Sequence, residues 1–251
     1  MRERSLHLVS AKFPYPDAPD IESSSDEYAG RFSGNIGNWF LEVQTTALMS
    51  LLMSKPGLSI LDVGGGHGQN IAALLKAGHN VTVLGSSPEC SRRLVEFESN
   101  CNFKFLAGSV VKLPFESDSF DVVISFRLLS HLYNWQEEIS ELCRVARQQV
   151  IVDYPTKLSF NAIEPVLFRL KKQIEGNTRH FLTFSHSEIR EAFAKSNFTD
   201  YQFISQFFWP MALHRATKNV GVARAIESIP AALGLTKLFG TPVIGSFKPK
   251  S

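Results

Sequence analysis

Apolar residues along the middle of this chain fall into short runs, and helical periods separate the runs. Ile60, Leu61 and Val63 form one run, and Ile71, Ala72, Leu74 and Leu75 then repeat at helical spacing until Gly78 stops them. Asn80-Val-Thr-Val-Leu84 reads as a second strand and Phe103–Leu106 as a short third. Phe120-Asp-Val-Val-Ile-Ser-Phe126 is continuously apolar enough for a buried parallel strand, and Val150-Ile-Val-Asp153 is a fifth. Ser87-Pro88-Glu89 predicts a helix with Ser87 as N-cap, and Asn134 caps another with Glu137 at its third position. Strands alternating with helices predict a doubly wound, Rossmann-like α/β sheet, with ligands at the carboxyl ends of its strands.

The flanks are less uniform. Pro14, Pro16 and Pro19 make residues 1–22 an extended arm, and Ser24-Ser-Asp-Glu27 is a capping box that starts a helix near Asp26. Gly34 and Gly37 interrupt it, and a second helix carries Phe40, Val43, Ala47 and Leu51 on one face to an end near Pro56-Gly57. Tyr28, Arg31, Phe32 and Trp39 in this segment either close over a ligand or pack on the sheet edge. Beyond residue 155, a helix is expected over Leu158–Glu175, and Ser185-His-Ser-Glu188 opens another that runs through Lys195. Asn197 suits a left-handed joint, Tyr201–Phe208 a strand, and Val243–Phe247 the last strand. Trp209 to Thr241 is a helical insertion between those two.

From Trp209 onward the chain has six Lys/Arg and one acid, Glu227, beside Met211, Leu213, Ile229, Leu233 and Phe239. The insertion reads as a lid over an apolar substrate, as a cap whose charges face water, or as a membrane-surface contact over 211–239. The expected organisation is one domain over 1–251. It comprises an arm and helical cap (1–56), a ligand-binding half (57–155) and a substrate-side half (156–251) containing the insertion 209–241.

Composition narrows the function little. The chain has 251 residues, 44% of them hydrophobic and 20% charged, and its net charge of +2 does not suggest a nucleic-acid partner. Cys90, Cys101 and Cys143 lack any Cys-x-x-Cys spacing and read as free thiols of a reducing, cytoplasmic compartment, with no metal site. Neither a signal peptide nor an apolar run of membrane-spanning length is expected.

The first run leads into Ile60-Leu-Asp-Val-Gly-Gly-Gly-His-Gly-Gln-Asn70, a strand, a tight turn and a helix. Gly68 is followed by Gln69, so the Gly-Lys-Ser/Thr of a phosphate-cradling loop is missing. The third glycine of a dinucleotide fingerprint would fall on Gln69 or Ile71, which disfavours a nicotinamide-dependent reductase. What fits is Asp62, Gly64, Gly66 and Gly68, with Gly65 between them. This spacing resembles the first motif of class I S-adenosylmethionine-dependent methyltransferases. Leu113-Pro-Phe115, Phe120-Asp121, His131-Leu132 and Glu141 to Val145 extend the likeness to the small-molecule methyltransferases of quinone and natural-product synthesis, over about residues 58–155.

The resemblance implies seven strands, mostly parallel, with one reversed strand at the edge. It implies S-adenosyl-L-methionine as cofactor, released as S-adenosyl-L-homocysteine. The cofactor-binding candidates are Asp62, Gly64, Gly65, Gly66, Gly68, Gly85, Ser86, Ser87, Ser109, Val110, Phe126 and Tyr28. Two positions depart from the pattern. The acid that holds the ribose at the end of the second strand is Gly85 here, and the acid facing the adenine amine is Ser109. Gly85 motivates a competing reading, a methyltransferase fold that binds or regulates without catalysis.

Methyl transfer needs alignment, exclusion of water and sometimes a base, and no metal. Gly-x-Ser-x-Gly, Asn/Asp-Pro-Pro-Tyr and a Pro-Cys nucleophile are all missing, which favours a small-molecule acceptor, and twenty phenylalanines, many after residue 160, suit an apolar or aromatic one as they also suit an ordinary core. His131 is the candidate base or cofactor-orienting group. Asp153, Tyr154 and Trp209 are candidate acceptor contacts, with His180, His186 and His214 as further histidines on that side.

Overall fold

A computed structural model describes residues 18–159 and 181–250. Seven strands form one sheet: β1 (Ser59–Val63), β2 (Asn80–Gly85), β3 (Phe103–Ala107), β4 (Phe120–Ser125), β5 (Ala146–Tyr154), β6 (Phe198–Phe207) and β7 (Thr241–Pro249). Their order is β3-β2-β1-β4-β5-β7-β6. The first five run parallel; β7 is antiparallel to both β5 and the outermost strand, β6. The reversed strand is therefore β7, one place in from that edge. β6 and β7 both outrun their expected lengths, because hairpin pairing continues from Phe198↔Pro249 to Phe207↔Thr241.

Period-two alternation divides the core into two layers. Leu61, Val63, Val123, Val150 and Val152 face α5 (Trp135–Val145) and the helix His186–Ala194, called α6. Ile60, Val83, Val122, Ile124 and Ile151 face α3 (Gly34–Leu51) and α4 (Ile71–Lys76). A third cluster joins Ile36, Trp39 and Phe40 of α3 to Phe207 and to Ala223 of the insertion. The insertion forms three helices, α7 (Met211–Thr217), α8 (Val220–Ala232) and α9 (Leu235–Phe239). It springs from the end of β6, on the side where the parallel strands also end.

Several local expectations are corrected. Ser25 caps α2 (Asp26–Gly30), accepting the Tyr28 N–H at 3.2 Å; the shift of one residue leaves Ser24 for another task. Before it lies α1 (Asp20–Ser23), where an extended arm was expected. Gly37 lies inside α3, where an added Cβ would overlap the Phe32 backbone, and α3 ends at Leu51 rather than near Pro56. Ser87-Pro88-Glu89 opens only a 3-10 turn, Pro88–Ser91, and Ser87 makes no side-chain cap bond. Asn134 likewise caps α5 without its side chain. Ser185 and Glu188 do form a complete capping box, and Asn197 is left-handed at φ +63°. Pro14, Pro16, His180 and nearly all of the expected Leu158–Glu175 helix lie outside the described residues.

Candidate active site

The glycine turn is built from two needs. Gly64 and Gly68 both sit at φ +75°, where a side chain would strain the backbone. Gly65 and Gly66 leave room for other groups. A Cβ on Gly65 would overlap the Asp62 carboxyl, and one on Gly66 would overlap Ser24 Oγ. The Gly64 N–H donates to Leu84 O at 2.8 Å and the Gly68 N–H to Gly65 O at 2.9 Å, which ties the turn to β2 and closes it ahead of α4.

Asp62, next to last in β1, is fully buried, and neither of its carboxylate oxygens has a hydrogen-bond partner among the described residues. Burial, helped by the like charge of Asp153, pushes its pKa up to about 8. Asp153, at the end of β5, is raised to about 6 by burial, although the Arg127 N–H donates to it at 2.5 Å. Arg127 follows β4 at φ +60°. Its guanidinium donates to Gln44 Oε1 at 2.6 Å and lies 3.9 Å over the Phe32 ring, while Gln44 donates to Asn70 Oδ1 at 3.0 Å. Nη1 of Arg127 has no hydrogen-bond partner among the described residues. His67, within the turn, is buried and held neutral, its pKa lowered to about 3 by burial first and then by Arg127. On the other face of the sheet, Glu138 of α5 accepts the Ser125 hydroxyl at 3.1 Å, and burial raises it to about 8.

The N-terminal helices lie over this turn. Ser86, just after β2, gives both its N–H (2.7 Å) and its hydroxyl to the carboxylate of Asp20. Cys90 Sγ is 3.4 Å from the same group. Tyr28 is buried beside Arg127.

The structure thus brings together Asp62, Gly64, Gly65, Gly66, Gly68, Ser86, Tyr28 and Asp153. Gly85 and Ser109 stand at the adjoining ends of β2 and β3, but the Ser109 hydroxyl accepts the Lys112 N–H and closes its own turn. Ser87 contributes its carbonyl to Cys90, and Val110 and Phe126 are core side chains. Tyr154 alternates away from Asp153 into the opposite layer, where its hydroxyl meets His186 Nδ1 at 2.7 Å. His131 ends a 3-10 turn after β4, with its ring 5.6 Å from that of Phe181.

Trp209 anchors the insertion, with Nε1 donating to Ile226 O. His214 is buried against Glu227 at 2.8 Å and serves the cap. Sequence reasoning missed Asp20, Ser24, His67, Arg127, Gln44 and Glu138. Only Arg127, a charge directly after the apolar run 120–126, and His67, inside the glycine motif, carried a readable signal.

Residues 61–152 match a family model described as a methyltransferase domain. Over those residues the chain is similar to the class I S-adenosylmethionine-dependent methyltransferases. It is 30% identical over 115 residues to the 2-methyl-6-phytyl-1,4-hydroquinone methyltransferase of Arabidopsis thaliana, 45% of this chain and 34% of that one. It is 26% identical over 156 residues to the malonyl-[acyl-carrier protein] O-methyltransferase of Pectobacterium atrosepticum, 61% of this chain and 60% of that one. The chain thus spans about a third to three fifths of these two curated relatives. Magnesium protoporphyrin IX methyltransferase from Synechocystis, solved with bound S-adenosylhomocysteine, shares the fold. Its TM-score is 0.60 at 15% identity, over 94% of this chain and 97% of that one.

The residues present fit S-adenosylmethionine, the cofactor of that family. The amino acid end of S-adenosylmethionine carries an ammonium and a carboxylate, and Asp62 and Arg127 Nη1 are buried groups of the matching signs with no hydrogen-bond partner among the described residues. Among the described residues no group of three or more His, Cys, Asp and Glu could hold a metal ion, and no helix is long and apolar enough to cross a membrane.

Proposed function

We propose that this chain, as a single domain, transfers a methyl group from S-adenosylmethionine to a small apolar or aromatic acceptor. The observation that carries the reading is the buried carboxylate of Asp62 behind the glycine turn, without a hydrogen-bond partner among the described residues. Bound there, the cofactor supplies an electrophilic methyl on a sulfonium for in-line displacement. Asp62 and Arg127 orient its charged end, and α1 to α3 keep water from the turn. His131, beyond β4, is the group we assign to receive the acceptor's proton, with Asp153 on the acceptor side of the cleft.

The acceptor class draws support from two sources. The first is the phytyl hydroquinone in the name of the Arabidopsis relative. The second is the exposed Leu213, Val222, Ile229, Leu233, Leu238 and Phe239 of the insertion, which suit an apolar tail or a weak membrane-surface contact during delivery. The three free thiols suit the cytoplasm. Calorimetric titration with S-adenosylmethionine and with NADH tests the cofactor: binding of the first alone is expected. Transfer of labelled methyl to a prenylated hydroquinone, set against a malonyl thioester, tests the acceptor. Labelling of the thioester alone would overturn the apolar or aromatic reading, and binding with no transfer to any acceptor would favour the non-catalytic one.

A further inference from the structure

Along α8 the apolar positions face both inward and outward. Ala223, Glu227 and Pro230 are buried, at positions i, i+4 and i+7, and Arg224 turns to α3, where it pairs with Glu42 at 2.7 Å. The side turned away from these carries Val222, Ala225, Ile229, Ala232 and Leu233, at i, i+3, i+7, i+10 and i+11, and all five are exposed. Ile229 is 66% exposed and Leu233 69%. Gly234, left-handed at φ +73°, turns the chain into α9, which packs against α8 and exposes Leu238 and Phe239. A helix that ends its contacts at water carries polar residues on its outer side. Large apolar side chains in a row there mark a face that something covers.

The charges of the insertion choose the occupant. Arg215, Lys218, Arg224 and Lys237 are exposed, and Lys218 and Lys237 flank the stripe in sequence, one just ahead of α8 and one in α9. The single acid after Trp209, Glu227, is buried, where it accepts the Phe208 and Trp209 N–H groups and meets His214. Every exposed charge of the insertion is therefore positive. Two copies of this chain joined through the face would set cations against cations. A bilayer with anionic headgroups offers an apolar layer beneath a negative surface and matches both features. We propose that α8 and α9 dock this chain on an anionic lipid surface, with Val222, Ile229, Leu233, Leu238 and Phe239 entering the acyl boundary and Lys218 and Lys237 at the headgroups. The inference rests on the reading of the insertion given above, from which it selects one surface. The insertion springs from the end of β6, where the parallel strands also end, so docking sets the glycine-turn end of the sheet toward the bilayer. An apolar acceptor dissolved in the bilayer then reaches that end without passing through water.

The test is co-sedimentation with vesicles of phosphatidylcholine alone and of phosphatidylcholine mixed with phosphatidylglycerol, with neither cofactor nor acceptor added. The wild type is expected to sediment with the anionic vesicles, and less so as salt rises. Ile229→Ser with Leu233→Ser should weaken that binding about tenfold to a hundredfold, and Lys218→Gln with Lys237→Gln about tenfold or more. Both pairs are exposed, so neither change disturbs the core. A wild type left in the supernatant with both vesicles would overturn the proposal, as would binding that survives the apolar pair of changes or is equal on both vesicles. A wild type that is dimeric by light scattering, and monomeric in the apolar pair without binding vesicles, would overturn it by giving the face to a second copy. Titration with S-adenosylmethionine is read separately. Docking without cofactor binding would sink the methyl-transfer reading alone, and cofactor binding without docking would sink the proposal alone.

Discussion

Asp62 is the group whose protonation should govern the protein most. In the unfolded chain its carboxyl titrates near 3.8, and in the folded protein near 8. Between those values the folded state without cofactor binds more protons than the unfolded chain, so stability falls as pH rises through that window. At about 1.36 kcal/mol per unit, the loss between pH 5 and pH 8 from this one group is about 3–4 kcal/mol. Asp62→Asn removes the titration. Differences in packing and hydrogen bonding between Asn and a protonated Asp do not change with pH, so they cancel when two pH values are compared. Glu138, also raised to about 8, is present in both proteins and cancels as well. Urea unfolding of both proteins at pH 5 and pH 8 measures the remainder. The wild type should lose about 3 kcal/mol more than the variant on going to pH 8. Parallel losses, within about 0.5 kcal/mol, would refute the raised carboxyl.

The same proton should appear on binding. With a pKa of about 8, roughly nine tenths of Asp62 is protonated at pH 7. A cationic end seated against it requires the ionised form, so binding of S-adenosylmethionine at pH 7 should release about 0.9 proton. Titrations in buffers of different ionisation enthalpy count that proton. Affinity should rise with pH until about pH 8 and then level, while Asp62→Asn binds more weakly and with a flatter profile. A wild type that binds without proton release would place the cationic end elsewhere.

Three other changes are informative. Gly66→Val should abolish cofactor binding and leave the sheet's circular dichroism intact, because its Cβ would collide with Ser24 Oγ and stand 2.7 Å from Cys90 O. Gly85→Asp, which the family pattern alone predicts to tighten binding, should instead lower stability by about 1–3 kcal/mol through overpacking against Cys90 and Phe105, and weaken the cofactor site. Glu227→Ala should cost about 3 kcal/mol or more in urea unfolding, since it strands buried His214 and the N–H groups of Phe208 and Trp209 at 3.1 and 2.9 Å.

The contrast at Gly85 separates what a sequence can and cannot encode locally. The glycine turn was legible because backbone geometry demands its residues: two positive φ angles and two close approaches leave only glycine. The Ser185 capping box was legible for the same reason, being complete within four residues. Asp20 was not, because its role depends on a fold that carries α1 about sixty-six positions away from itself in sequence, onto Ser86. Ser24 and Ser25 are equally good caps on paper; tertiary placement of Ser24 over Gly66 decides between them. Tyr154 was a different kind of miss. Period-two alternation already put Asp153 and Tyr154 on opposite faces, so only one of them could reach the cleft.

The cap follows from the same placement. Phe32 covers Arg127 on one side and packs against the Trp39, Phe40 and Phe207 cluster on the other. Arg215 of α7 donates to Arg31 O at 3.1 Å, and Arg224 of α8 pairs with Glu42 of α3 at 2.7 Å. These surface contacts are weak individually; the buried ring cluster beneath them is not, since each aromatic pair adds about 0.5–1.5 kcal/mol beyond its buried area. The N-terminal helices and the insertion are therefore one packed unit, with Asp20 and Tyr28 at the end beside the glycine turn and α7 to α9 at its other. Contiguous packing thus ties the helices beside the glycine turn to the helices proposed to meet the acceptor.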